Sequence, residues 1–204
     1  MIGSTPNMLI VTDSVPAKTI PEFLDYARSL PQPIECGNSG INSGGHISAM
    51  LLEKLGNFKI LHVPFKGSAE VTTALITDVV KMQVSTTTDS LQPYIKLGKV
   101  RVLGVATKKR SHLAPGVPTI GEFLPGYAVD GWFGILAPAR TPLARRETLA
   151  AAIKIALDDP LIKERLASLY TEVIYAAPRE FSEAIVDSVD NFRNIVRVLG
   201  LTPQ

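Results

Sequence analysis

"IECGNSGINSGGHISAM", residues 34–50, is the stretch on which the reading of the fold turns. An apolar, strand-like start at 34–37 breaks into a run of Gly, Asn and Ser. From Ser43 the apolar residues return at helical spacing, through His46, Met50, Leu51 and Leu55. Strand, small-residue loop and helix in that order make a β-α unit. Gly56 closes the pattern where a left-handed residue commonly ends a helix.

Outward from this unit the same rhythm repeats. Short apolar runs rich in β-branched residues fall at 8–12, 34–37, 59–65, 80–85 and 100–106, with helix-like segments between them. Near-continuous apolar runs are what parallel strands covered on both faces look like, so a complete doubly wound α/β lobe is expected over 8–118. Its first helix has a clear start, with Thr19 and Glu22 spaced as a capping box and Pro21 in the first turn. Ser68, and then Asp89 or Ser90, suit the N-caps of later helices, and Gly98 suits a stop.

Beyond Lys108 the texture changes. Prolines 115, 118, 125, 138 and 142 punctuate a segment with one long extended candidate, 127–137, and the rest is mostly helix around a short β-like stretch at 171–175. Helices are expected from Pro142 and from Pro178, the latter stopping at Gly200. Two strands seldom make a self-sufficient sheet, and Leu149, Ile153, Ala156 and Leu157 form a broad apolar face that needs a covering layer. Residues 119–204 therefore read as an extended crossover and helical tail belonging to a partial second lobe. An apolar face left open in this way also favours self-association.

Composition removes several function classes. Of the 204 residues, 46% are hydrophobic and 20% charged, and the net charge is +2 with Lys and Arg scattered, so neither nucleic acid nor an anionic membrane is implied. The single cysteine, Cys36, allows no internal disulfide and has no His or Cys near it at metal-ligand spacing, and no cofactor or metal is expected. No apolar run approaches a membrane span, and the residues after Met1 do not form a signal peptide. If Met1 is the native start, a cytoplasmic location follows.

Three chemistries compete for the loop. A phosphate-binding P-loop needs Lys and a hydroxyl after its last Gly, but Gly40 and Gly45 are followed by His46 and Ile47. A nucleophile elbow needs Gly-x-Ser-x-Gly, and Ile41 stands where the last Gly belongs, which weakens a hydrolase built on Ser39 or Ser43 with His46. The third needs no reactive side chain: a helix N-terminus with unpaired N–H groups binds an anion, and small residues let it approach. Ser39, Gly40, Asn42, Ser43, Gly44 and His46 would then surround a carboxylate or phosphate at the carboxyl end of a strand, where open α/β sheets bind ligands. The same residues also suit a plain tight turn capped by Ser43. Thr87 and Thr88 follow the fourth strand at the same sheet edge, and Trp132 suits either a core or the wall of a ligand cleft.

Together, "SGINSGGH" (39–46), "HVPFKGSAE" (62–70), "PYIKLGKVRVLGVATKKR" (93–110) and "VPTIGEFLPGYAVDGWFGILAPARTP" (117–142) closely resemble the substrate-binding proteins of tripartite tricarboxylate transporters, the Bug-type receptors. The resemblance implies a type II periplasmic-binding-protein-like fold and a receptor rather than an enzyme. It implies a periplasmic location and membrane transporter subunits as partners. Its ligands would be small organic carboxylates: di- or tricarboxylates, acidic amino acids or aromatic acids. Receptors of this kind begin with about a hundred residues of the first lobe that have no counterpart here, so an N-terminally shortened receptor is expected. A cytosolic effector-binding module remains a second reading and a serine hydrolase a third.

Overall fold

The computed structural model describes residues 1–87 and 90–201. In chain order the first elements are β1 (Gly3–Ser4), β2 (Met8–Thr12), α1 (Ile20–Ser29), β3 (Ile34–Asn38), α2 (Gly44–Gly56), β4 (Ile60–Pro64), α3 (Ser68–Ile76) and β5 (Met82–Ser85). They continue with α4 (Gln92–Lys96), β6 (Val100–Val105), β7 (Trp132–Phe133), α5 (Leu143–Asp158), α6 (Pro160–Ser168), β8 (Glu172–Val173) and α7 (Pro178–Leu199). The chain divides into two compact units, one of Pro6–Asp130 and one of Met1–Thr5 with Gly131–Gln204. No helix among the described residues is long and apolar enough to cross a membrane.

The first unit is built on a five-stranded sheet of order β4-β3-β5-β2-β6. β3 runs parallel to β4 and β5, whereas β2 runs antiparallel to both of its neighbours, β5 and β6. The uniformly parallel arrangement expected from the sequence is therefore corrected in one strand. All five residues of β2 are buried, and burial on both faces gives an antiparallel strand the same continuous apolar signature as a parallel one. At roughly 1.5–3 kcal/mol for each large apolar side chain taken fully out of water, this strand is a main source of the unit's stability.

The helices around the sheet start and stop for local reasons. Thr19 accepts the Glu22 N–H and caps α1, which buries Ile20, Phe23, Leu24 and Ala27. α2 ends one residue later than expected: the left-handed residue is Asn57, at φ 54°. Gly56 is needed for another reason, because a Cβ there would lie 2.5 Å from the Phe58 ring. α3 begins at Ser68 with Gly67 as its cap residue and no side-chain cap.

Residues 119–130, which the sequence pattern joins to the tail, lie with the sheet. Thr119 bridges to Val105, and Val129 donates to the Ala106 carbonyl at 2.8 Å. Tyr127, wholly buried, donates its hydroxyl to the Ser48 carbonyl at 3.1 Å.

The second unit holds a sheet of order β7-β1-β8, antiparallel throughout, with β1 in the middle. Each strand is two residues long, and within the extended candidate at 127–137 the strand is Trp132–Phe133. Thr5, just after β1, and Thr171, just before β8, bond through their hydroxyls at 2.7 Å. Of the apolar face expected on α5, only Leu157 is buried.

Candidate functional site

The loop between β3 and α2 is held by its own side chains. Asn38 ends β3, and its Oδ1 accepts the Gly40 N–H at 3.2 Å. Gly40 lies at φ 124° and Asn42 at φ 63°, a left-handed region that Asn tolerates better than most side chains. Ser43 donates its N–H to the Gly40 carbonyl, and its Oγ accepts the His46 N–H at 3.2 Å, which makes it the N-cap of α2. The Asn42 N–H goes to His46 Nδ1 at 3.0 Å.

Two contacts fix where the helix begins. A Cβ on Gly45 would stand 2.5 Å from the Val84 carbonyl oxygen, so glycine lets the first turn of α2 sit directly on the end of β5. Ser48, buried in the next turn, donates to the Gly44 carbonyl at 2.8 Å and accepts from Asn7 Nδ2 at 3.2 Å. At Gly44, by contrast, the nearest atom to an added Cβ is Asn7 Nδ2 at 3.9 Å. That position is open.

Ser39, Gly40, Asn42, Ser43, Gly44 and His46 thus come together in one loop and first helical turn. Not all of them keep a donor to offer. The N–H groups of Gly40, Asn42 and Ser43 are engaged within the loop. Among those left for an anion are the N–H groups of Gly44 and Gly45, the first two residues of a thirteen-residue helix, where unpaired N–H groups and the helix dipole favour negative charge.

Two buried polar atoms stand at the same edge of the sheet. Asn38 Nδ2 and Thr87 Oγ1 have no hydrogen-bond partner among the described residues, although Asn38 is 2% and Thr87 6% exposed. Leaving such a group unsatisfied costs about 1–3 kcal/mol, so a buried orphan in a stable fold points to a missing partner. Both stand just at or beyond the carboxyl ends of β3 and β5, which are parallel neighbours. Thr87 is among the residues expected from the sequence, and Asn38 is not. Thr88 lies outside the described residues.

The imidazole of His46 meets that of His62 edge-on, with ring centroids 4.8 Å apart. His62 Nε2 stands 3.2 Å from Glu53 Oε2, and His62 Nδ1 is buried without a partner among the described residues. Burial, and then the neighbouring His62, hold the His46 pKa below its ordinary value. Cys36, at the heart of β3, is pushed up to about 12 by burial, which keeps it a thiol. Among the described residues no group of three His, Cys, Asp or Glu side chains could hold a metal ion.

Trp132 belongs to the other unit. Its Nε1 donates to Ser188 Oγ at 3.1 Å and its ring packs edge-on against Phe181, 5.0 Å away. Within that unit it has the environment of a core side chain.

Against known proteins, residues 1–201 match the sequence model of the tripartite tricarboxylate transporter family receptor. A UPF0065 protein from Cupriavidus necator, encoded in its gbd 5' region, is 31% identical over 193 residues, covering 95% of this chain and 58% of the relative. An R. palustris protein solved with adipate superposes with a TM-score of 0.90 at 27% identity, over 100% of this chain and 68% of that one. The periplasmic binding protein BugD gives 0.89 at 26% identity, over 100% and 69%. MatC from Rhodopseudomonas palustris, solved with malate, gives 0.83 at 28%, over 95% and 67%. The fold is the mixed α/β fold of these binding proteins, present as one lobe and part of another. The chain spans about 60% of the length of the curated relatives it matches.

Proposed function

The chain belongs to the tripartite tricarboxylate transporter receptor family, and on that premise we propose that it is a solute-binding receptor, or the larger part of one, for a small organic carboxylate. The sheet unit is its ligand-binding lobe and the helical unit part of the other lobe. The observation that carries the reading is the pair of buried, unpartnered groups, Asn38 Nδ2 and Thr87 Oγ1, at the sheet edge from which α2 and its open Gly44 and Gly45 N–H groups start. Together they form a neutral donor set. A carboxylate bound there would satisfy both orphans while its charge lies at the positive end of α2.

Charge recognition by backbone donors leaves the rest of the ligand to other contacts. Adipate and malate, the ligands of two structural neighbours, each carry two carboxylates, and the ligand class we assign is the dicarboxylates. The receptor would work in the periplasm and hand its ligand to the membrane subunits of a tripartite transporter. It is read as a binder and not a catalyst, because the His46 lone pair nearest the loop is engaged by the Asn42 N–H. The apolar side chains left open on the helical unit are a surface for self-association.

Thermal-shift titration with adipate and malate tests the assignment, since a ligand at a hundredfold its dissociation constant adds roughly 2.7 kcal/mol of stability. Gly44→Leu fills the open position over the donors and should abolish the shift while leaving the ligand-free melting temperature in place. An unchanged ligand shift in that variant would overturn the site.

A further inference from the structure

The Asn42 N–H is aimed at a group that can take up a proton. His46 Nδ1 accepts it at 3.0 Å, so in this arrangement Nδ1 is bare and the neutral ring carries its hydrogen on Nε2. With Asn42 in the left-handed region, this N–H is engaged by His46, out of the set available to an anion. A proton from solvent added at Nδ1 would set donor against donor. The bond would break, and the loop would gain two things at once: a free Asn42 N–H and a positive charge on the first turn of α2.

The surroundings make that charge depend on the ligand. The loop residues from Ser39 to Gly45 carry no charged side chain. From β4, the group packed on the ring is His62, backed by Glu53 of α2. The other Glu53 oxygen accepts the Ile60 N–H at 3.4 Å and stands 3.9 Å from Lys59 Nζ. Past the end of β4, Glu70 receives the Lys66 N–H. No carboxylate among these touches the His46 ring, and the helix N-terminus opposes a cation there. Burial, and then the nearby His62, disfavour the charged ring in the unliganded protein. A bound carboxylate supplies the missing counter-charge.

We propose that His46 couples carboxylate capture at this loop to the uptake of a proton, acting as a positioning residue that keeps the Asn42 N–H engaged until the anion arrives. The inference rests on the loop being the anion site. By linkage, a ligand that prefers the protonated ring raises its pKa, and protonation raises affinity by the same factor. Affinity should climb as pH falls, by at most about tenfold per pH unit for one proton, between the His46 pKa of the bound form and that of the free form.

Isothermal titration calorimetry with adipate, and with malate, over pH 5.5–8 in buffers of differing ionisation enthalpy reads both quantities. The expected result is tighter binding at low pH with net proton uptake. His46→Asn keeps a neutral acceptor for the Asn42 N–H and should lose the slope and the uptake that His46 contributes, while any slope from the ligand's own carboxyls remains in both proteins. Binding with the same pH slope and proton count in wild type and variant would overturn the coupling and leave the anion site standing. No binding of either acid by folded protein at any pH would overturn both.

Discussion

α1 and α5 show how differently the two units treat an apolar helix face. α1, ten residues long, buries Ile20, Phe23, Leu24 and Ala27. α5, sixteen residues long and carrying Leu149, Ile153 and Ile155, buries only Leu157. The contrast extends to the whole units. The sheet unit has five paired strands and a strand, β2, whose every residue is buried. The helical unit pairs three strands of two residues, and its buried apolar side chains among the described residues are Leu157, Phe181 and Ile195. A sheet with a hydrophobic face on each side can close a core; a two-residue ladder cannot. The candidate site lies on the unit that completes its own packing, where donors can be held without a ligand present.

The widest test of this contrast is the loss of a core side chain from the sheet unit's most buried strand. Ile10, at 0% exposure in the middle of β2, should cost about 3–4 kcal/mol when replaced by alanine, from lost transfer free energy and the cavity left behind. In thermal melts that is a drop of roughly ten degrees or more. A drop of only a degree or two would mean that the sheet is not the centre of the unit's stability.

A smaller effect separates two adjacent glycines at the site. Gly45→Ala drives a Cβ against the Val84 carbonyl oxygen and should cost about 1–3 kcal/mol, because backbone must move. Gly44→Ala meets only Asn7 Nδ2 at ordinary contact distance and should change stability by less than about 0.5 kcal/mol. Urea unfolding of the two variants side by side gives the difference. Equal midpoints would show that α2 is not seated on β5 as described.

Much of this was legible in the sequence and some could not be. The five strand positions of the sheet unit and the loop at Ser39–His46 follow from apolar runs and from small residues between them. The direction of β2 does not, because burial on both faces erases the alternation that would betray it. β1 is two residues long and has no period to detect. At the candidate site, the small-residue loop is visible in the composition, but the division of its donors is not. Whether the Gly40 and Asn42 N–H groups are free depends on where Asn38 Oδ1 and His46 Nδ1 point, which composition does not encode. Asn38 was missed for the same reason: a polar residue at the end of a strand looks ordinary until its partner is found to be absent.

The smallest expected effect lies on the open side of the contrast. Ile155 and Leu161 are 75% and 76% exposed, so removing them takes little from the packing of the helical unit. Replacing both by serine should shift the unfolding midpoint by less than about 0.5 kcal/mol, the usual range for surface substitutions. If the open face drives association, the same change should lower the apparent mass of the protein at high concentration, measured by light scattering after size exclusion. A large loss of stability would show that these side chains already have partners within the folded chain, and the unit's core would then be more complete than its burial pattern says. An unchanged stability with unchanged mass would place any self-association elsewhere. The combination of unaltered stability and reduced mass is the one that makes the exposed helix face an interface, because only there does an apolar side chain contribute to assembly without contributing to the fold.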